Sequence, residues 1–248
     1  MTAVNTADTD FPLLNLRRVA GNIGAEIRDI SLSADLDADT FAQLEAALVK
    51  YKVLFFRQQE HLTDAEHQAF GARFGKIVAH PTVPAPEGTK LFELDASKGG
   101  GRADSWHTDV TFVDAFPKIS ILRGVTIPEY GGDTVWANTA RAYEQLPETL
   151  KRFVDTLRAV HSNDYDYGAE RVVVESHRLA HHQKVFVSSV WEAEHPVVHV
   201  HPVSGERALL LGHFVKRLVG FSSRESAQLF ELLQNRIKIG RASCRERV

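Results

Sequence analysis

With one cysteine, Cys244, among 248 residues, the chain can close no disulfide within itself and can build no thiolate-rich metal cluster. Any metal it holds must therefore be bound by histidines and carboxylates. Long apolar runs are also missing: none approaches the roughly 20 residues needed to span a bilayer. Residues 1–12, with Asp8 and Asp10, lack a basic stretch ahead of an apolar one and do not read as a secretory leader. No membrane partner is expected, and the cytoplasm is the expected compartment. Neither sign of charge dominates. The 29 Lys and Arg against 32 Asp and Glu leave a net charge of -3, with no broad basic field to hold nucleic acid. What is present, 44% hydrophobic and 25% charged residues, is enough apolar material to exclude disorder through the body of the chain. The length suits one large domain.

Periodicity divides the chain into a helical beginning and a more β-rich remainder. Phe41, Leu44, Leu48 and Tyr51 recur at helical spacing over residues 39–51, with Asp39 or Thr40 available as a cap. Val53-Leu-Phe-Phe56 is a short apolar run that suits a buried strand. Thr63-Asp-Ala-Glu66 and Ser222-Ser-Arg-Glu225 both have the spacing of a capping box, in which hydroxyl and carboxylate each satisfy an amide of the first turn, so each predicts a helix start. After Gly75, proline and glycine punctuate short strand-like pieces: 91–94, 120–125, 133–136 and 157–161. One helix is predicted over 139–156, carrying Leu146, Leu150 and Phe153. Val197-Val-His-Val-His201 alternates as a strand does, and 207–211 can pair with it across Ser204-Gly205. The sum is an α+β domain with helices around a β barrel or sandwich.

The chemistry concentrates in Trp106-His-Thr-Asp-Val110. In an extended segment, His107 and Asp109 leave the same face and can converge on one ion. Imidazole plus carboxylate without thiolate suits an iron(II) site of the two-His-one-carboxylate type, which needs a third ligand from elsewhere. His-x-Asp is short enough to arise by chance, and a hydrogen bond on a surface strand is the plain alternative. Other histidines compete. His199 and His201 share a strand face, as a cupin-like metal pair does, although an ordinary strand accounts for them equally. His177, His181 and His182 lie in a polar stretch, read as solvated lid residues.

Around the pair, Trp106-His-Thr-Asp-Val-Thr-Phe112, Ser120-Ile-Leu-Arg123, Gly131-Gly-Asp-Thr134 and Trp136-Ala-Asn138 resemble the taurine and alkylsulfate dioxygenase family, with Val53-Leu-Phe-Phe-Arg57, Glu194-His-Pro-Val-Val198 and His201-Pro-Val-Ser-Gly205 in the same order. The resemblance runs from about Leu16 to Ile237. Its alkylsulfatase branch is the most similar, on His161-Ser-Asn-Asp-Tyr-Asp-Tyr167 and Gly205-Glu-Arg-Ala-Leu-Leu210. It implies a double-stranded β-helix (jelly-roll, cupin-like) with flanking helices, and an enzyme using Fe(II), 2-oxoglutarate as cosubstrate and O2. It implies that His107 and Asp109 bind the metal, that Thr134 hydrogen-bonds 2-oxoglutarate, and that His80, Val110 and Tyr167 border the substrate. Read from the residues alone, His80 is also an ordinary histidine of a proline-rich loop, and Tyr167 is equally a core or surface tyrosine. Val83, Ala103 and Leu210 stand where taurine dioxygenases contact their small sulfonate, which implies a longer, more apolar organosulfur substrate. Hydroxylation of an alkyl sulfate ester beside the ester oxygen, or of a sulfonate, would release an aldehyde with sulfate or sulfite, alongside succinate and CO2. The family's habit of forming dimers or tetramers implies a homo-oligomer, although no face of the sequence declares itself.

The resemblance further implies strands after the helix at Ser222–Gln234 that carry a third ligand, a histidine, and an arginine for the 2-oxoglutarate carboxylate. Residues 238–248 are instead basic and without apolar period. They read as an artefactual tail, with a natural basic tail as the alternative. The expectation is thus a dioxygenase domain over 14–237 with the second half of its β-helix missing, uncovered apolar faces, poor solubility, weakly held iron and no activity. A non-catalytic metal-binding or scaffold fragment of the same fold is the competing reading.

Overall fold

The computed structural model describes residues 10–94, 105–164 and 190–237, together with the backbone of 243–246. Asn15–Arg18 (β1) and Ala25–Arg28 (β2) form an antiparallel pair outside the elements that periodicity marks, and Leu54–Phe56 (β3) joins β2 in parallel. The crossover between β2 and β3 is Ala38–Tyr51 (α1), whose Phe41, Leu44, Ala47 and Tyr51 are buried. Its cap is Asp37 rather than Asp39 or Thr40: the Asp37 carboxylate accepts from the Thr40 amide at 2.9 Å. Asp64–Ala72 (α2) starts at Thr63 with both halves of the capping box formed.

Two stretches read as strands are not. Neither 91–94 nor 120–125 has regular structure. A strand exists only by pairing. In the second stretch and just beyond it, the apolar side chains Leu122, Val125, Ile127 and Tyr130 are exposed. Thr134–Ala137 (β4) does form, and its antiparallel partner is Ser243–Glu246 (β10), within the stretch expected to lie outside the domain. The single helix expected over 139–156 is two, Thr139–Glu144 (α3) and Glu148–Val154 (α4). Pro147 causes the break, since it has no amide to donate and its ring disfavours helical geometry at Leu146. It serves as the cap of α4.

Arg158–Ser162 (β5) is central in a three-stranded antiparallel sheet, flanked by Glu192–Pro196 (β6) and Val215–Leu218 (β9). Val198–Val200 (β7) and Arg207–Leu209 (β8) make the expected hairpin, in the register Val198↔Leu209, His199↔Ala208, Val200↔Arg207. Ser223–Gln234 (α5) begins at the Ser222 capping box and packs on β9. Two large apolar clusters result, with a smaller third one around Ile23 and Phe55. One gathers Leu14, Leu16, Ile27, Phe41, Leu44 and Phe70 around β1–β3 and the first two helices; the other gathers Val154, Val197, Leu209, Val215, Leu218 and Leu233 around β5–β9 and α5.

Candidate metal centre

The segment holding His107 and Asp109 is not a strand. Residues 106–108 are irregular and a turn begins at Asp109. Val110 has a φ of +58°, in the left-handed region that a β-branched residue adopts only under constraint. The turn still delivers what an extended segment would have: His107 Nε2 lies 3.2 Å from Asp109 Oδ1. The ring is oriented by its other nitrogen, which donates to the Ser105 carbonyl at 2.9 Å, so in the neutral tautomer the Nε2 lone pair faces the carboxylate. Ser120 Oγ donates to the second Asp109 oxygen at 3.2 Å.

The electrostatics follow from this contact. The hydrogen bond to Asp109 holds the His107 imidazole above its ordinary pKa against the opposing effect of burial. The same bond holds the Asp109 carboxyl below its ordinary value, with Ser120 and the nearby His80 assisting. Such a pair fits a divalent cation, because the ion can take the place of the proton shared between nitrogen and oxygen. The 3.2 Å separation also suits two neighbouring ligand atoms on one ion, which stand about 3 Å apart for bonds of about 2.1 Å. Among the described residues, no group of three or more His, Cys, Asp or Glu could hold a metal, so the pair is joined by no third donor of these types among them.

His80 comes to the same place. Its Nδ1 accepts from the amides of Thr82 at 3.3 Å and Val83 at 3.2 Å, which puts the proton of the neutral ring on Nε2. Burial lowers its pKa and favours that neutral form. Its ring lies 5.1 Å from Phe92 and 6.2 Å from Phe112. Phe112 in turn meets Phe214 edge to face at 5.0 Å, and Phe214 meets His107 at 6.1 Å, an apolar wall beside the donor pair. Phe214 was not marked by any sequence pattern. Thr134 is placed on another element, as the first residue of β4 opposite Glu246. Tyr167 and Ala103 lie outside the described residues, as do His177, His181 and His182. His199 and His201 do not act as a metal pair: His199 packs against Phe116 at 5.6 Å, and His201 Nδ1 accepts from the amides of Val203 and Ser204 in the β7–β8 turn.

Several neighbours of the pair carry no sequence signal of their own. Gly212 has a φ of +124°, and a Cβ there would meet the Trp106 carbonyl oxygen at 2.7 Å and His107 Cα at 2.9 Å. The next amide, of His213, donates to that Trp106 oxygen at 2.7 Å. Only glycine lets the two backbones come so close.

An α+β fold that presents His-x-Asp on a turn beside an aromatic wall has relatives across most of its length. The family model described as "Taurine catabolism dioxygenase TauD, TfdA family" matches residues 15–247, and the chain belongs to that family. It is 59% identical over 225 residues to an alkylsulfatase of Acinetobacter baylyi, spanning 90% of this chain and 71% of the relative. It is 56% identical over 225 residues to an alpha-ketoglutarate-dependent sulfate ester dioxygenase of Pseudomonas putida, spanning 90% and 74%. Among solved structures, a taurine dioxygenase from Burkholderia xenovorans superposes with a TM-score of 0.74 at 38% identity, covering 96% of this chain and 77% of that one. These relatives bear out the expected family and the similarity to its alkylsulfatase branch. Among the described residues, no helix is long and apolar enough to cross a membrane.

Proposed function

We propose that the chain is an iron(II)- and 2-oxoglutarate-dependent dioxygenase acting on alkyl sulfate esters. The observation that carries the reading is the identity of 59% and 56% to an alkylsulfatase and a sulfate ester dioxygenase over 90% of the chain. The His107–Asp109 donor pair, at 3.2 Å, supports the chemistry.

Bound together, iron(II), 2-oxoglutarate (alpha-ketoglutarate) and O2 supply the oxidising chemistry, with succinate and CO2 as coproducts. One oxygen atom enters the C–H bond beside the ester oxygen, and the hydroxylated ester breaks its C–O bond to leave an aldehyde and hydrogen sulfate. His107 and Asp109 hold the metal, with the Ser105 carbonyl and Ser120 hydroxyl fixing their orientation. His80, neutral and protonated at Nε2, offers a hydrogen bond to the anionic head. Phe214, backed by the buried Phe112, lines the path of the alkyl chain, which Val110 and Tyr167 also border, and Thr134 hydrogen-bonds the cosubstrate. The substrate is small and organosulfur, and neither nucleic acid nor membrane is a partner.

The absence of a three-donor group among the described residues favours a second reading, a non-catalytic metal-binding or scaffold chain of the same fold. One assay separates them: succinate and sulfate formation by the purified 248-residue chain with iron(II) and 2-oxoglutarate. Succinate formed faster with a medium-chain alkyl sulfate than with taurine, and abolished by Asp109→Ala, would establish the enzyme and overturn the expectation of inactivity. Equal rates with taurine would sink the sulfate-ester assignment. Metal retained without any succinate would select the scaffold.

A further inference from the structure

The turn that carries Asp109 has no regular structure of its own, yet it is held against the sheet by two buried histidines. In the β5–β6 register, Ala159 faces His195 and His161 faces Ala193, so the two histidines are diagonal neighbours on one side of the sheet. Their rings meet edge to face with centroids 5.3 Å apart, and both are buried. His195 Nε2 is 2.9 Å from the Thr111 carbonyl oxygen and 3.1 Å from that of Val113. Carbonyl oxygens only accept, so a single N–H is shared between two carbonyls on either side of Phe112. His161 Nδ1 is 2.8 Å from the Thr111 hydroxyl, and Phe116 closes over His195 edge-on at 5.3 Å.

We propose that His195 is a positioning residue for the metal pair: its shared Nε2–H fixes the turn at Val110 and thereby the approach of Asp109 to His107. The inference rests on the reading of His107 and Asp109 as metal ligands. The turn needs such a tie for a physical reason. Val110 at φ +58° is a conformation that a β-branched residue holds only where its surroundings over-determine it. Within the turn, the Val113 amide donates back to the Val110 carbonyl at a long 3.3 Å. The His195 N–H grips the two carbonyls just beyond Val110, while the Gly212–His213 backbone grips Trp106 on the other flank. Asp109 lies between the two grips. A ring N–H is suited to the task because it is a directional donor delivered from a stiff strand, which an aliphatic side chain of similar volume cannot supply.

The test compares His195→Leu, which fills the space without a donor, with His195→Gln, whose amide can donate to one carbonyl, in the full chain. Two readouts are taken below the unfolding transition: amide hydrogen exchange without metal, and Mn(II) affinity by the electron paramagnetic resonance of the free ion. In His195→Leu, exchange at Val113 is expected to rise about tenfold while the β5–β6 amides stay at wild-type rates. Mn(II) affinity is expected to fall about tenfold or more, and His195→Gln to recover most of both. Wild-type exchange at Val113 and wild-type Mn(II) affinity in His195→Leu would overturn the proposal. So would sheet and turn amides loosening together, because that is the behaviour of a residue that only fills the core. Asp109→Ala serves as the control: if it binds Mn(II) as the wild type does, the metal reading itself falls and the positioning role with it, whatever exchange shows for the tie.

Discussion

His161 is the side chain whose protonation the fold resists most clearly. It is 1% exposed, its Nε2 has no hydrogen-bond partner among the described residues, and burial, with His195 adding to it, pushes its pKa from the ordinary 6.5 down to about 4. The folded pKa lies below the unfolded one, so above pH 6.5 the group is neutral in both states and costs nothing. As pH falls from 6.5 towards 4, the unfolded chain takes up a proton that the folded chain refuses, and stability is lost, on the order of 3 kcal/mol by pH 4. Urea unfolding of His161→Leu across that window is expected to show a shallower fall; an unchanged slope would remove His161 as its source. At this same scale, His107 and Asp109 were legible in the sequence because the motif around them is dense and ordered. His195 was equally visible in Glu194-His-Pro-Val-Val198 but without a role, since its partners are the carbonyls of Thr111 and Val113. Backbone acceptors are the same in every residue.

Among the elements, those specified by contacts within a few residues were legible and those that depend on distant partners were not. Both capping boxes form where their Thr or Ser and Glu stand at the right spacing, and the β7–β8 hairpin closes around its local turn. The stretch 120–125 has strand composition and no strand, because composition cannot say whether a neighbouring edge is available. The helix over 139–156 was expected from its apolar spacing alone, and Pro147 decides otherwise. Gly212 shows the same limit in a connecting segment. Its close approach to Trp106 joins residues 106 positions apart, so nothing local marks it. In Gly212→Ala the added Cβ meets backbone atoms that cannot swing aside, and the positive φ is strained as well. The variant is expected to lose about 2 kcal/mol or more in thermal unfolding and to weaken Mn(II) binding. Wild-type melting would show that the Trp106 segment shifts freely.

For the molecule as a whole, the family and its alkylsulfatase-like character were legible, because they rest on ordered motifs spread over most of the chain. The grouping of the described strands into four small sheets was not, because it depends on which distant edges meet. The two larger apolar clusters have a consequence for how the chain comes apart. One is built by β1–β3 with the first two helices and the other by β5–β9 with the last helix, and Phe55 against Trp136, at 5.4 Å, is one of the contacts that bridge the two halves. A core divided in this way releases its amides in two cooperative groups rather than one. Native-state hydrogen exchange in rising urea should resolve two opening free energies, one for each cluster, and a single shared value would show that they unfold as one. The donor pair is tied to the second group through His195 and His161, and to the first through Ser120, whose neighbour Ile121 packs on that cluster. Its lifetime in the ordered state is therefore expected to follow whichever half opens more readily, because the site spans the seam between them.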